Sequence, residues 1–128
     1  MNKIFLKLLL SFLNLILIAS LSFAEDKVKI GLLIPLTGNN AEIGQQIIKA
    51  SRLAIKDIGS DKIEIFPKDT QSDPKKTLIS AMELDRQGIN LVIGPVFYKN
   101  LIYLDQVNNL TFLSFTNKTL SLPKNVIS

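Results

Sequence analysis

Hydrophobic positions follow three rhythms along this chain. From Leu8 to Ile18 they are nearly continuous, broken only by Ser11 and Asn14, behind Lys3 and Lys7 and ahead of Ser22-Phe23-Ala24. A positive start, an apolar run short for a bilayer span and small residues before Glu25 predict a secretory signal peptide over 1–24, cleaved after Ala24. An uncleaved anchor fits less well, because Asn14 interrupts the run and Ser22 and Ala24 suit the signal peptidase. Membrane contact is then expected only through this leader.

Residues 25–128 alternate between two other rhythms. Lys27 to Ile34 alternates and then turns continuously apolar, which predicts a strand that Pro35 ends. After the loop Leu36–Asn40, the positions Ile43, Ile47, Ala50, Ala54 and Ile58 recur at helical spacing, with Asn40 to cap the helix and Gly59 to stop it. Lys62 to Phe66 predicts a short second strand ended by Pro67, followed by a polar loop from Asp69 to Ser72. Asp73-Pro74 starts a second helix, since the aspartate can accept from free amides and proline has none to satisfy; Gly88 ends it. Leu91-Val92-Ile93 is wholly apolar and predicts the central strand, covered on both faces. Leu101, Leu104, Asp105 and Val107 predict a short helix and Leu110 to Phe115 a fourth strand, while Thr116 to Ser128 shows no further element.

The order βαβαβαβ, with connections of a few residues, predicts an α/β fold: an open parallel sheet with helices on both faces. Ligands bind such sheets at the carboxyl ends of the strands, where strand order reverses. Three loops fall there: Thr37-Gly38-Asn39-Asn40, Gly94-Pro95-Val96-Phe97-Tyr98 and Ser114-Phe115-Thr116-Asn117-Lys118.

Composition narrows the chemistry. The chain has no His and no Cys, so it can build neither a Ser-His-Asp triad, a Cys-His dyad nor an ordinary structural zinc site, and it lacks the cysteine that carries a lipoprotein anchor. No G-x-G-x-x-G or Gly-Lys-Ser/Thr pattern follows the first strand, which disfavours nucleotides. No catalytic constellation remains, and the protein reads as a non-enzyme without metal or cofactor. The formal charge of +4 comes from 15 basic and 11 acidic residues; without Lys3 and Lys7 the balance is 13 to 11, spread along the chain. No basic run exceeds Lys75-Lys76, and no aromatics interleave with basic residues, so nucleic acid is not an expected partner. Asp69 and Asp73 could together hold a cation, but the simpler reading makes Asp73 a helix cap and Asp69 a loop residue oriented by backbone amides. Tyr98 could stack on a ligand; Tyr103 reads as a packing residue.

Four segments carry a family resemblance: Ile30-Gly31-Leu32-Leu33-Ile34-Pro35-Leu36-Thr37-Gly38, Ala41-Glu42-Ile43-Gly44, Asp69-Thr70-Gln71-Ser72-Asp73-Pro74 and Val92-Ile93-Gly94-Pro95-Val96. In this order they resemble the leucine-binding-protein type of type I periplasmic binding proteins. The resemblance covers Lys27 to Ser114 and implies that 25–128 is the N-terminal, incomplete part of the first lobe of a two-lobed receptor. It further implies a periplasmic solute-binding role, delivering an amino acid or similar small polar solute to an ABC transporter permease. The loops then supply Thr37, Asn39, Tyr98, Thr116, Asn117 and Lys118 as ligand-binding residues. Tyr98 stands where the family commonly has a serine, and Ile43 where it often has an aromatic. The segments Gly94-Pro95-Val96-Phe97 and Leu113 to Thr119 are also similar to the penicillin-binding-protein activators. That branch implies a peptidoglycan synthase as the partner instead.

Overall fold

A computed structural model describes residues 2–4, 7, 27–116 and 121–128. The cleavage position after Ala24, nearly all of the leader, and Asn117 and Lys118 lie outside the described residues. Among those described, no helix is long and apolar enough to cross a membrane.

Five parallel strands form one sheet: β1 (Val28–Ile34), β2 (Ile63–Asp69), β3 (Leu91–Ile93), β4 (Thr111–Leu113) and β5 (Val126–Ile127), in the order β2-β1-β3-β4-β5. Helix α1 (Ala41–Ile58) links β1 to β2, and α2 (Pro74–Arg86) links β2 to β3. The chain therefore steps outward from β1 to β2 and then crosses back to β3. Strand order reverses between β1 and β3, which makes that gap the switch point of the sheet.

β1 explains its own sequence. Leu32 and Ile34 pack with Ile48 of α1, while Leu33 packs with Ala81 and Leu84 of α2. Side chains alternate across a strand, so a strand covered by helices on both faces must be apolar at consecutive positions. The α2 face holds the larger core, including Val92, Phe112 and Ile89. On the other face Ile93, Leu113 and Ile127 lie in register across β3, β4 and β5, but α1 covers only the first part of the row; Ile127 is 59% exposed.

Helix α1 carries Glu42 in its first turn and Lys56 in its last, matching the helix dipole, and ends on Gly59 in the left-handed conformation. Asn40 stands at its N-cap position, but its side chain makes no cap hydrogen bond; the amide donates instead to Ser72 Oγ at 3.1 Å. The burial also differs from the face predicted. Gly44 and Ile48 are the buried residues of α1; of the predicted positions Ile47 packs half-buried against the same core, while Ile43, Ala50, Ala54 and Ile58 are exposed, about a quarter turn away from Gly44 and Ile48.

Three further elements depart from the sequence reading. β2 continues through Pro67 to Asp69, which is tolerated because β2 is the edge strand and proline need not donate into a neighbour there. The predicted short helix is two 3-10 segments, Tyr98–Leu101 and Leu104–Gln106. Leu101, Leu104, Val107 and Leu110 are all buried and recur every three residues, the period of a 3-10 turn rather than an α-helix. The tail expected to hold no element supplies β5, paired with Phe112 and Leu113. Asn125 fixes it by donating from Nδ2 to the Leu104 and Val107 carbonyls at 2.9 and 3.0 Å.

Gly44 sets how closely α1 approaches the sheet, because a Cβ there would overlap the Pro35 carbonyl oxygen. Helix propensity alone makes Gly44→Ala stabilising by about 1 kcal/mol. The contact reverses the sign, and the variant is expected to lose about 1–3 kcal/mol. A fall in the urea midpoint checks this; a rise contradicts the close approach.

Candidate functional site

The candidate site is built on the carboxyl ends of β1 and β3, with β4 beside them. Adjacent strands lie roughly 5 Å apart, so the three loops that follow these strands fall within about 10 Å along one edge.

The first loop is held by one carboxylate. Asp69, the last residue of β2, accepts at Oδ1 from the Leu36 amide at 2.8 Å, the Gln71 amide at 2.9 Å and, more weakly, the Thr37 amide at 3.4 Å. At Oδ2 it accepts from the Thr37 hydroxyl at 2.6 Å. Asp69 is thus oriented by backbone amides as its sequence context implies, though the tie to the Thr37 hydroxyl is not evident from the sequence. Asp73 caps α2, accepting from the Lys76 amide at 2.8 Å.

Beneath that loop runs the turn from Thr70 to Asp73. Gln71 and Ser72 both adopt positive φ, 50° and 54°, and the Asp73 amide closes the turn on the Thr70 carbonyl at 2.9 Å. Two consecutive non-glycine residues in that region cost of order 1 kcal/mol each and persist only where neighbours impose them. The neighbours here are Asp69 on the Gln71 amide, Thr70 Oγ1 on the Ser72 amide, and the Asn40 side chain on Ser72 Oγ.

The second and third loops are joined through backbone. Gly94 has φ of 113° and donates to the Leu113 carbonyl at 2.7 Å; a Cβ at this residue would strike the Leu33 carbonyl oxygen. The Gly94-Pro95 peptide is cis. The Pro95 carbonyl accepts from Ser114 Oγ at 3.2 Å and from the Phe115 amide at 3.3 Å, and Ser114 Oγ in turn accepts from the Thr116 amide at 3.2 Å.

Among the residues singled out from sequence, Thr37 and Asn39 are exposed on the first loop, and Tyr98 is 37% exposed at the start of the 3-10 segment after β3. Thr116 is buried behind Ser114. Sequence reasoning missed Ser114 as the tie between the second and third loops; its place directly after an apolar strand was the available signal. A cavity of about 580 Å³ lies to one side, between Pro74, the 3-10 segments and Leu122-Pro123, and shares Tyr98 with this edge. Its lining is largely apolar, and among the described residues no cluster of acidic side chains could hold a metal ion.

Electrostatically the edge is marked by Asp69. Partial burial works to raise its pKa, but the hydrogen bonds from the Thr37 hydroxyl and from the Leu36, Gln71 and Thr37 amides outweigh it and hold the carboxyl below the ordinary aspartate range. Neighbouring Lys68 is engaged elsewhere, 2.8 Å from Glu83.

The sequence profile of the periplasmic binding protein family matches residues 27–118. The chain belongs to that family. Among this periplasmic binding protein's relatives, the Leu/Ile/Val-binding protein BraC3 of Rhizobium johnstonii is 33% identical over 89 residues, 62% of this chain and 24% of that protein. A solute binding protein of an ABC transporter from Rhodopseudomonas palustris BisB5, solved in complex with 3,4-dihydroxy benzoic acid, is 30% identical with a TM-score of 0.65, over 70% of this chain and 27% of its own. The C-domain of LpoA from Haemophilus influenzae, a regulator of PBP1A, has a TM-score of 0.60 at 23% identity, over 77% of this chain and 31% of its own, a likeness of fold. The chain spans no more than about a quarter of the length of the curated relatives it matches.

Because the Asp69 pKa is lowered in the folded state, its contribution to stability is present above the unfolded value of about 3.9 and is lost as pH falls through the folded pKa. Asp69→Asn keeps one oxygen for the loop amides but removes the charge and sets an NH2 group against the Thr37 hydroxyl, and is expected to cost about 1 kcal/mol at neutral pH. It should also flatten the acid limb of stability, measured by urea melts between neutral pH and about pH 3. An unchanged acid limb contradicts the assignment.

Proposed function

We propose that this chain forms the opening part of an exported, non-enzymatic solute receptor of the leucine-binding type, and that its carboxyl edge supplies one wall of the ligand site. The observation that carries this reading is the site's construction at the switch point. The loops after β1 and β3 flank it, the first fixed by Asp69 and the second by Gly94 and Ser114, in a chain that over 62% of its length is 33% identical to part of a Leu/Ile/Val-binding protein. Thr37 and Asn39 contribute from the first loop, Tyr98 from the second, and Thr116, Asn117 and Lys118 from the third. The ligand is an amino acid or similar small polar solute, and the downstream partner is an ABC transporter permease. The signal over 1–24, cleaved after Ala24, delivers the chain to the periplasm.

A second reading is supported by the LpoA likeness, which covers more of this chain than the solute-binding neighbour from Rhodopseudomonas palustris does. On it, the edge contacts a peptidoglycan synthase. Amide spectra of the isotope-labelled chain, titrated with leucine, isoleucine and valine, separate the two. The receptor reading expects shifts confined to residues 36–39, 94–98 and 114–116, saturating around 1 mM because one wall provides only part of the contacts. Shifts on adding a purified peptidoglycan synthase, with none from the amino acids, replace it with the second.

A further inference from the structure

The cavity beside the candidate site has two walls of different origin. One is the 3-10 region after β3. Leu101, Leu104 and Val107, three residues apart, turn into the core on the α2 side. Lys99, Ile102 and Asp105, also three apart, form a second row, and all three line the cavity. The other wall is Ser121 to Pro123, where Leu122 packs against the same core and Ser121 holds φ of 58°, a conformation that a non-glycine residue keeps only where its neighbours impose it. Asn125 ties the walls together. It donates from Nδ2 to the Leu104 and Val107 carbonyls at 2.9 and 3.0 Å, and next to it the Val126 amide donates to the Pro123 carbonyl at 3.0 Å. Between walls joined in this way lies a volume of about 580 Å³, within the range of pockets that hold small organic molecules.

The lining sets the chemistry of an occupant. It is largely apolar, and it includes two tyrosines, Tyr98 and Tyr103, whose rings favour offset or edge-on contact with another ring. Lys99 and Asp105, both exposed, add a donor and an acceptor. A hydroxyl can meet both, because it gives one hydrogen and accepts at its lone pairs. We propose that this cavity is a second binding site, taking a small aromatic molecule of one or two rings that carries a hydroxyl, and meeting the solute edge at Tyr98. The proposal goes beyond the solute-receptor reading and does not depend on it.

Two probes of one carbon skeleton test it: 2-naphthol and decahydro-2-naphthol, which share the hydroxyl and differ in aromaticity. The isotope-labelled chain is titrated with each at neutral pH. 2-Naphthol is expected to give saturating shifts at the Lys99, Ile102, Tyr103, Asp105 and Leu122 amides, with Kd on the order of 0.1–1 mM, and to bind about fivefold tighter than the saturated compound. Tyr103→Leu keeps an apolar wall without the ring and is expected to remove that preference. Lys99→Ala combined with Asp105→Ala is expected to weaken 2-naphthol about threefold. Ile102 is 64% exposed, so Ile102→Trp fills the cavity without disturbing the core and is expected to abolish binding. Unshifted β1 and β3 amides check that each variant is folded. Equal binding of the two probes, a preference that survives Tyr103→Leu, unchanged affinity in the double variant, binding that survives Ile102→Trp, or shifts confined to residues 36–39 and 114–116 overturns the proposal. None of these outcomes bears on whether the edge binds leucine, so the two readings fail separately.

Discussion

One carboxylate joins two loops that the sequence separates by more than thirty positions. Asp69 leaves the end of an edge strand and ties down Leu36, Thr37 and Gln71 together, which joins the first loop to the turn after β2. Without it, the Thr37 hydroxyl would be a freely rotating donor and acceptor, and Gln71 would lose the bond that holds it at positive φ. The wall of the candidate site depends on that arrangement.

The arrangement in turn depends on β1. Asp69 reaches Leu36 because β2 runs in register with β1 along its whole length, Ile34 opposite Asp69. That register is held by burial on both faces, with Leu32 and Ile34 on α1 and Leu33 on α2. Slipping it by one residue would carry these side chains to the wrong layers, so the packing of the core fixes the geometry of the edge.

Much of this was legible because it follows local chemistry. The two-faced strand Leu32–Ile34, the Asp73-Pro74 helix start and Gly59 as a helix stop need no distant partner to be recognised. What escaped depended on context. Pro67 reads as a strand end until its strand proves to be an edge. Val126-Ile127 is too short to show alternation and becomes a strand only beside Phe112 and Leu113. The apolar row Ile43, Ile47, Ala50, Ala54 and Ile58 looks like the packed face of α1, but the close approach at Gly44 sets the packed face about a quarter turn away, and only Ile47 of the row reaches the core. The place of Thr37 in the candidate site follows from position alone, while its hydrogen bond to Asp69 shows only in the structure.

The most direct test of the account is a pH titration of the Asp69 side-chain carboxyl carbon by NMR in the chain at low ionic strength. A carboxyl anchored by the Thr37 hydroxyl and by the Leu36, Gln71 and Thr37 amides titrates clearly below the ordinary aspartate value of about 3.9. Titration at or above that value would mean that the carboxylate does not hold the loop, and would contradict the construction of the site at its base.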